Sequence, residues 1–290
     1  MTLSPAAGAA LRYAGQAAAV SAGQLGLLLG PVLALALALH GLADWVQARA
    51  TRWLGRAYFL LFGWLGTAVH ELGHALFCLL LAHRITGIKL FDFAPRDGDL
   101  GHVRHEYDPS NPYQLAGNFF IGVGPLVLGT LAIVLAARRL LGPAVSDALG
   151  AARGGDGLPG TPHAWLVLAG QAGEGARGAL AALCAPGRLA DWRAWVLLYV
   201  AFTVGSSMSL SVADLKGAAG GFAALALLVY AANLATLWRG DLLGPAVAAL
   251  AGWQAVACAA MVFALSVQVL AAVVVLVIPA LASQFGRPSG

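Results

Sequence analysis

Charged side chains are scarce in this chain. Only 10% of its 290 residues are Asp, Glu, Lys or Arg, whereas a soluble domain carries about 25%. Hydrophobic residues make up 60%, and they occur in long runs with few or no charges. This composition excludes an ordinary soluble enzyme and indicates an integral membrane protein. The chain is therefore best divided into spans of about 20 residues each.

Cysteine pairs and a dominant charge of one sign are also missing. The three cysteines, Cys78, Cys184 and Cys258, form no CxxC pair, so no disulfide framework is implied. Two of them lie in apolar runs, which is typical of small buried side chains. The net charge is only +4, and the basic residues are scattered, so we expect no binding of nucleic acid. The only early basic residue is Arg12, and we predict no signal peptide.

The apolar runs predict an all-α polytopic membrane protein with about six transmembrane helices. The predicted spans are residues 23–42, 57–82, 113–137, 195–210, 218–238 and 253–281. Between the second and third spans, residues 85–93 and 100–107 are predicted to form a small β-hairpin at the membrane surface, with turn residues at 95–98. Pro125 is predicted to kink or break the third helix.

The predicted organisation has five parts. Residues 1–56 hold the N-terminal span and a loop, and residues 57–140 and 193–240 form the two parts of a core. Residues 141–192 are predicted to be a connecting loop rich in Gly, Ala and Pro, flexible near 154–162 and with a short surface helix near 175–183. Glu174 and His163 are interpreted as solvated loop residues. Residues 241–290 hold the C-terminal span.

The most specific motif lies inside the second predicted span. Residues 67–78 read Thr-Ala-Val-His-Glu-Leu-Gly-His-Ala-Leu-Phe-Cys. On a helix, His70 and His74 share one face and can bind one metal ion, with Glu71 beside them as a general base. Ionisable groups are costly in lipid, and a metal ion is a partner that all three can share. The motif therefore predicts a metal site, with one Zn²⁺ per chain.

The sequence leaves the third ligand open. Catalytic zinc sites usually have three protein ligands and one position for water. Asp214 is the strongest candidate, because few other carboxylates lie so close to an apolar segment. Asp is also favoured at helix N-termini, so a capping role for Asp214 is an equal alternative. The other candidate ligands are His102, His105, Glu106 and Asp108 in the hairpin, which are otherwise surface residues, and Cys78, which lies one turn after His74.

These motifs resemble those of the site-2 protease family of intramembrane zinc metalloproteases. The resemblance covers His70-Glu71-Leu72-Gly73-His74 in a span, the hairpin after it, Gly124-Pro125 in the next span, and Asp214 after a later one. It implies a three-helix catalytic core at about residues 57–140 and 195–238, of the branch without a PDZ domain. It also implies that His70, His74 and Asp214 bind zinc, that Glu71 is the catalytic base, and that the hairpin is a membrane-embedded edge for the substrate.

The chain departs from the family pattern at several positions. The later motif usually reads Asn-x-x-Pro-x-x-x-Leu-Asp-Gly. Here Ser206, Ser209 and Ala213 replace its Asn, Pro and Leu, and Leu215 follows the aspartate. Leu128 stands where an Asn is expected after Gly124-Pro125. In the family those Asn residues hold the substrate backbone, so the departures concern substrate binding rather than the metal.

Together, the motifs predict a zinc-dependent intramembrane endopeptidase. Its expected substrate is a membrane-spanning or membrane-adjacent protein or peptide, whose extended backbone could pair with the hairpin edge. The expected location is the inner membrane of a bacterium. The alternative is a non-proteolytic, metal-binding scaffold or assembly factor that keeps the fold. Glu71 argues against the alternative, because a structural zinc site needs no base. A transporter is disfavoured, because His40 is the only other ionisable residue well inside a span.

Overall fold

The computed structural model describes residues 4–94, 100–151, 162–209 and 212–285 and is mainly helical. The helices are α1 (Pro5–Leu54), α2 (Arg56–Tyr58), α3 (Trp64–Leu80), α4 (Pro112–Leu141), α5 (Pro143–Gly150), α6 (Pro162–Leu183), α7 (Trp192–Ser207), α8 (Val212–Thr236) and α9 (Gly244–Phe285). Two strands, β1 (Arg84–Lys89) and β2 (His102–Glu106), lie between α3 and α4.

Four of these helical segments are long and apolar enough to cross a membrane. They are Pro5–Leu54, Pro112–Leu141, Asp214–Arg239 and Gly244–Val277. The helix with the histidine motif, α3, has 17 residues, and α7 has 16, fewer than the about 20 that a bilayer core requires. The prediction of several spans is confirmed, while the count of six stays a prediction. The last apolar run forms one helix, as predicted.

A π-helical turn continues α3 toward its N-terminal side. Residues Phe59–Gly63 form this turn between α2 and α3, so helical backbone extends almost without interruption from residue 56 to residue 80. The hydroxyl of Tyr199 on α7 donates to the carbonyl of Leu61 at 2.5 Å, and the indole N–H of Trp64 donates to the same hydroxyl at 3.0 Å. A side chain from another helix thus donates a hydrogen bond to a backbone carbonyl within the irregular turn.

The helices α7 and α8 follow one another along α4. Near the start of α7, Arg188 donates to the carbonyl of Leu141 at the end of α4. Further along, Met208 lies against Gly129 and Ala218 lies against Gly122. Residue numbers rise along α7 and α8 while they fall along α4. The fourth and fifth predicted spans therefore lie end to end along α4, and the carbonyl oxygen of Ser207, at the end of α7, lies 2.7 Å from Nδ1 of His70 on α3.

Very close helix contacts hold α3, α4 and α8 together. A Cβ atom on Gly73 would lie 2.7 Å from the Cα of Pro125, and one on Gly221 would lie 2.3 Å from the backbone nitrogen of Phe119. Only glycine permits backbones this close, which is a common way for helices to associate in lipid. Helix α4 continues through Pro125, so the helix does not break there, while a kink at that residue stays a prediction.

The hairpin is antiparallel, as predicted, and extends back along α3. Lys89 pairs with His102 and Arg84 pairs with Glu106, with a register shift between Ile85 and Gly87. Toward the tip, Phe93 accepts a hydrogen bond from Arg56 through its carbonyl at 3.2 Å. The predicted turn at 95–98 lies outside the described residues.

Two helices occupy much of the predicted connecting loop. Helix α6 has 22 residues rather than the short stretch expected near 175–183. Leu168, Ala176 and Leu183 are buried in the hydrophobic core, so burial stabilises a segment whose Gly content suggested a loop. Glu174 is an exposed helical residue paired with Arg177 at 2.6 Å. Of the flexible loop predicted near 154–162, only Pro162 is among the described residues. The side chain of His163 also lies outside them.

Candidate metal centre

The two motif histidines are held in the orientation that metal ligands require. Nδ1 of His70 lies 2.7 Å from the carbonyl oxygen of Ser207, and Nδ1 of His74 lies 2.8 Å from that of Ile121. A carbonyl oxygen can only accept, so Nδ1 carries the hydrogen in both rings. Each neutral ring therefore presents the lone pair of its Nε2. Backbone partners of this kind are the usual outer support of metal-bound imidazoles.

Asp214 brings the third donor from the first turn of α8. One carboxylate oxygen lies 3.2 Å from Nε2 of His74, and the other lies 3.7 Å from Nε2 of His70. The two Nε2 atoms are 3.0 Å apart. The sequence left two equal alternatives for Asp214, a metal ligand and a helix N-cap. The structure places its carboxylate with the histidines, and these three residues could hold a metal ion.

The donor spacing fits a small tetrahedral site. Ligand bonds of about 2.0–2.1 Å at tetrahedral angles place the donor atoms about 3.3 Å apart. The two Nε2 atoms are 3.0 Å apart, and they lie 3.2 and 3.7 Å from the two oxygens of the Asp214 carboxylate, one oxygen each, so all three separations are close to this value. Two imidazole nitrogens and one carboxylate oxygen suit a transition metal such as zinc better than Ca²⁺ or Mg²⁺, which prefer oxygen alone. A cation also relieves the close approach of three electron-rich atoms.

Glu71 lies beside this cluster on the wall of the same cavity. The cavity has a volume of about 460 Å³, and His70, Glu71, His74 and Asp214 line one part of it. Glu71 is buried, with 7% of its surface exposed. Gly101, immediately before β2, packs against it, since a Cβ there would lie 3.0 Å from the Cγ of Glu71. The hairpin therefore covers the predicted base.

Strand β2 supplies another part of the wall. His102, Val103 and His105 line the cavity, although side chains three residues apart on a regular strand face opposite sides. The two-against-one register shift in β1 lies opposite His105 and Arg104, and such bulges increase local twist. His102 is the first residue of β2, where pairing begins. Neither histidine belongs to the three-residue metal group.

The remaining candidate ligands lie elsewhere. Glu106 is exposed. Asp108 accepts hydrogen bonds from the hydroxyl and the N–H of Ser110, which lower the pKa of its carboxyl. Cys78 is fully buried in the protein interior and is a free thiol, and it is not part of the three-residue metal group.

Sequence reasoning missed several contributors to the site. The carbonyls of Ser207 and Ile121 carry no sequence signal, because every residue has one. Asn118 also lines the cavity and is buried. An amide inside an apolar span is unusual and could have been noted on that ground. His83 was not singled out from the sequence, yet it contacts His105.

Ser206, one of the positions that depart from the family pattern, forms hydrogen bonds with neighbouring helical residues. The hydroxyl of Ser206 donates to the carbonyl of Phe202 at 2.7 Å and accepts from the amide of Gln268 at 3.4 Å. Neither Ser206 nor Leu128 lines the cavity.

Fold and site together define a helical membrane protein in which two histidines and an aspartate could hold a metal ion. No protein-family model, no curated protein and no solved structure matches the chain. Its function is accordingly inferred from the chemistry of the site.

Proposed function

We propose that this protein is a zinc-dependent intramembrane endopeptidase. The observation that carries the proposal is the convergence of two imidazole nitrogens, 3.0 Å apart, with a carboxylate whose oxygens lie 3.2 and 3.7 Å from them, beside a buried glutamate on one cavity. A structural zinc site is normally closed by four protein ligands. Here three ligands border a cavity that has room for a water molecule and a peptide group.

The chemistry of each side chain determines its proposed role. His70, His74 and Asp214 would hold one Zn²⁺, which when bound polarises a carbonyl and lowers the pKa of water to about 7. Glu71 takes a proton from the attacking water. It then delivers that proton to the amine that leaves when the C–N bond breaks. Burial of Glu71 under the hairpin keeps competing bulk water away from the carboxylate.

The hairpin suits an extended substrate. Among the described residues the sheet has two strands, so each strand keeps one edge that no other strand pairs with. Strand β2 borders the cavity, and a peptide added along it would extend past the metal ligands. We therefore propose membrane-spanning or membrane-adjacent segments that unwind locally as substrates, in the inner membrane of a bacterium.

The test compares the wild type with Glu71→Gln. Both proteins are expressed in bacterial cells, and newly formed protein N-termini in the membrane fraction are quantified by mass spectrometry. We expect a set of N-termini that requires Glu71. The zinc content of the two purified proteins should be equal, because Glu71 is not a ligand. The matched control is Glu106→Gln, an exposed carboxylate on the hairpin, which should leave the N-termini unchanged.

Equal sets of N-termini in wild type and Glu71→Gln, with about one zinc per chain in both, would reject proteolysis. The alternative function, a metal-binding scaffold or assembly factor, would then remain. Absence of zinc from the wild type after zinc is added back would reject both.

A further inference from the structure

A second pair of histidines links the turn after α3 to strand β2, which borders the cavity. His83, in the turn after α3, is 4% exposed. Its Nδ1 lies 3.0 Å from Nδ1 of His105, and its Nε2 lies 2.9 Å from the carbonyl oxygen of Gln114. The ring of His83 also stacks on Tyr107, with centroids 5.0 Å apart. His83 is thus fixed on several sides, whereas His105 also borders the cavity.

These contacts determine which nitrogen of His105 carries its hydrogen. The carbonyl of Gln114 can only accept, so Nε2 of His83 is the donor and Nδ1 of neutral His83 is a lone pair. The hydrogen between the two rings then belongs to Nδ1 of His105. A neutral His105 is left with a bare Nε2, which is an acceptor.

The surroundings favour the neutral form of His105. Burial is the main factor that lowers the pKa of His105, and the nearby His83 and His74 lower it further. Backbone also holds the ring in place, since His105 pairs with Ile85 beside the bulge of β1. Bulges next to functional sites commonly re-aim a side chain. His105, which lines the cavity, therefore carries one oriented acceptor.

We propose that Nε2 of His105 binds a backbone N–H of the substrate and that His83 is the positioning residue that fixes this tautomer. The inference rests on the proposed function, because it takes the cavity to hold a peptide. A peptide in the cavity must place its N–H groups against acceptors, since buried donors without partners are costly. The acceptor on β2 lies on the strand along which an added peptide would extend.

The experiment uses two probes on zinc-loaded protein in detergent. N-acetyl-leucine hydroxamate chelates zinc and carries one backbone N–H, on the leucine nitrogen. Its analogue with a methyl group on that nitrogen keeps the chelating hydroxamate but has no backbone N–H. Calorimetry gives the dissociation constant of each. One net hydrogen bond corresponds to an affinity loss of about three- to tenfold on methylation. We expect this loss in the wild type and none in His105→Asn, whose amide keeps the hydrogen bond to His83 but has no group at the Nε2 position.

Two further variants separate the roles of the two rings. His105→Gln places an amide oxygen near the Nε2 position and should restore part of the discrimination. His83→Gln can still donate to Gln114 but removes the acceptor for His105, so the discrimination should shrink. Histidine ¹⁵N spectra should show His105 in the Nδ1–H form in the wild type and in a mixture of tautomers in His83→Gln. Arg104→Gln, at the exposed neighbour on β2, is the control and should behave as the wild type.

The outcomes distinguish this inference from the proposed function. Equal methylation losses in zinc-loaded wild type and His105→Asn would overturn the role of His105 and leave the endopeptidase proposal intact. An Nε2–H tautomer of His105 in the wild type would also overturn it, even if a variant fails to fold. A wild type that binds neither zinc nor hydroxamate would overturn both.

Discussion

Gly73 of α3 lies against Gly124 of α4 so closely that a Cβ atom on Gly124 would be 2.6 Å from the carbonyl oxygen of Gly73. Gly73 lies between Glu71 and His74 in the motif. The same contact therefore sets the distance between the motif and the backbone of α4, whose Ile121 carbonyl orients His74. Helix packing and metal-ligand orientation depend on one close approach.

Gly124→Ala should consequently destabilise the protein and weaken its metal site together. Overpacking of a close contact costs about 1–3 kcal/mol, and the helices must separate to admit the methyl group. Thermal unfolding in detergent and zinc content measure the two effects. Gly220→Ala is the matched control, because a Cβ at that position of α8 meets nothing within 4 Å. Equal losses in both variants would show that the close contact is not the cause.

Asp214→Ala should remove zinc from the purified protein. Loss of a direct ligand should weaken binding by more than the about 10- to 100-fold that loss of an outer partner costs. Metal content by mass spectrometry measures this, with Asp44→Ala as the control. Asp44 is an exposed carboxylate of α1 that pairs with His40 at 3.4 Å. Full zinc retention in Asp214→Ala would move the third ligand elsewhere, first to the hairpin histidines.

Gly101→Ala should reduce proteolysis while zinc is retained. A methyl group there would lie 2.9 Å from Cγ2 of Thr67 and 3.0 Å from Cγ of Glu71, so either the hairpin or the base must shift. Small displacements of reacting groups cost large factors in rate, and we expect a loss of about tenfold or more. The measure is the rate at which Glu71-dependent N-termini form.

The matched control for that change is Gly87→Ala. Gly87 lies in β1, and an added Cβ would make only an ordinary contact, 3.8 Å from the side chain of Arg104. Its rate should equal that of the wild type. If Gly101→Ala also keeps the wild-type rate, the hairpin does not hold Glu71 in place.

Tyr199→Phe should destabilise the π-helical turn before α3. The variant loses the hydroxyl that donates to the carbonyl of Leu61 and accepts from Trp64. Each net hydrogen bond contributes about 0.5–1.5 kcal/mol, so the melting temperature should fall measurably. Tyr230→Phe, on the apolar groove between α1 and α8, is the control. A Tyr199→Phe protein as stable as this control would show that the turn does not need the bond.

The local part of the site was predictable from the sequence. His70 and His74 share a helix face because a helix turns once in 3.6 residues, and no other part of the chain is needed for that conclusion. The hairpin was predictable for a similar reason, since alternation and turn residues are local signals. The sequence identified Asp214 as a candidate ligand but did not separate metal ligation from helix capping, because both roles suit an aspartate at the start of a helix.

Other features depended on contacts between distant segments. The end-to-end placement of α7 and α8 was not visible in the sequence, where two apolar runs read as two spans. Helix α6 was predicted only as a short surface helix near 175–183 within a Gly-rich loop, whereas burial in the core stabilises a helix of 22 residues. His102 and His105 both line one cavity, and a register shift in the partner strand lies opposite His105, neither of which the spacing of three residues reveals.

The sequence by itself determined that this is a membrane protein with two histidines and a glutamate on one turn of a helix, since composition and helical periodicity are properties of the chain alone. Only the tertiary structure decided which groups surround that turn. The Asp214 carboxylate, the carbonyls of Ser207 and Ile121 and the wall formed by β2 come from segments far apart in the chain. Their convergence depends on glycine contacts that bring helix backbones together, and such contacts exist only once the chain is folded.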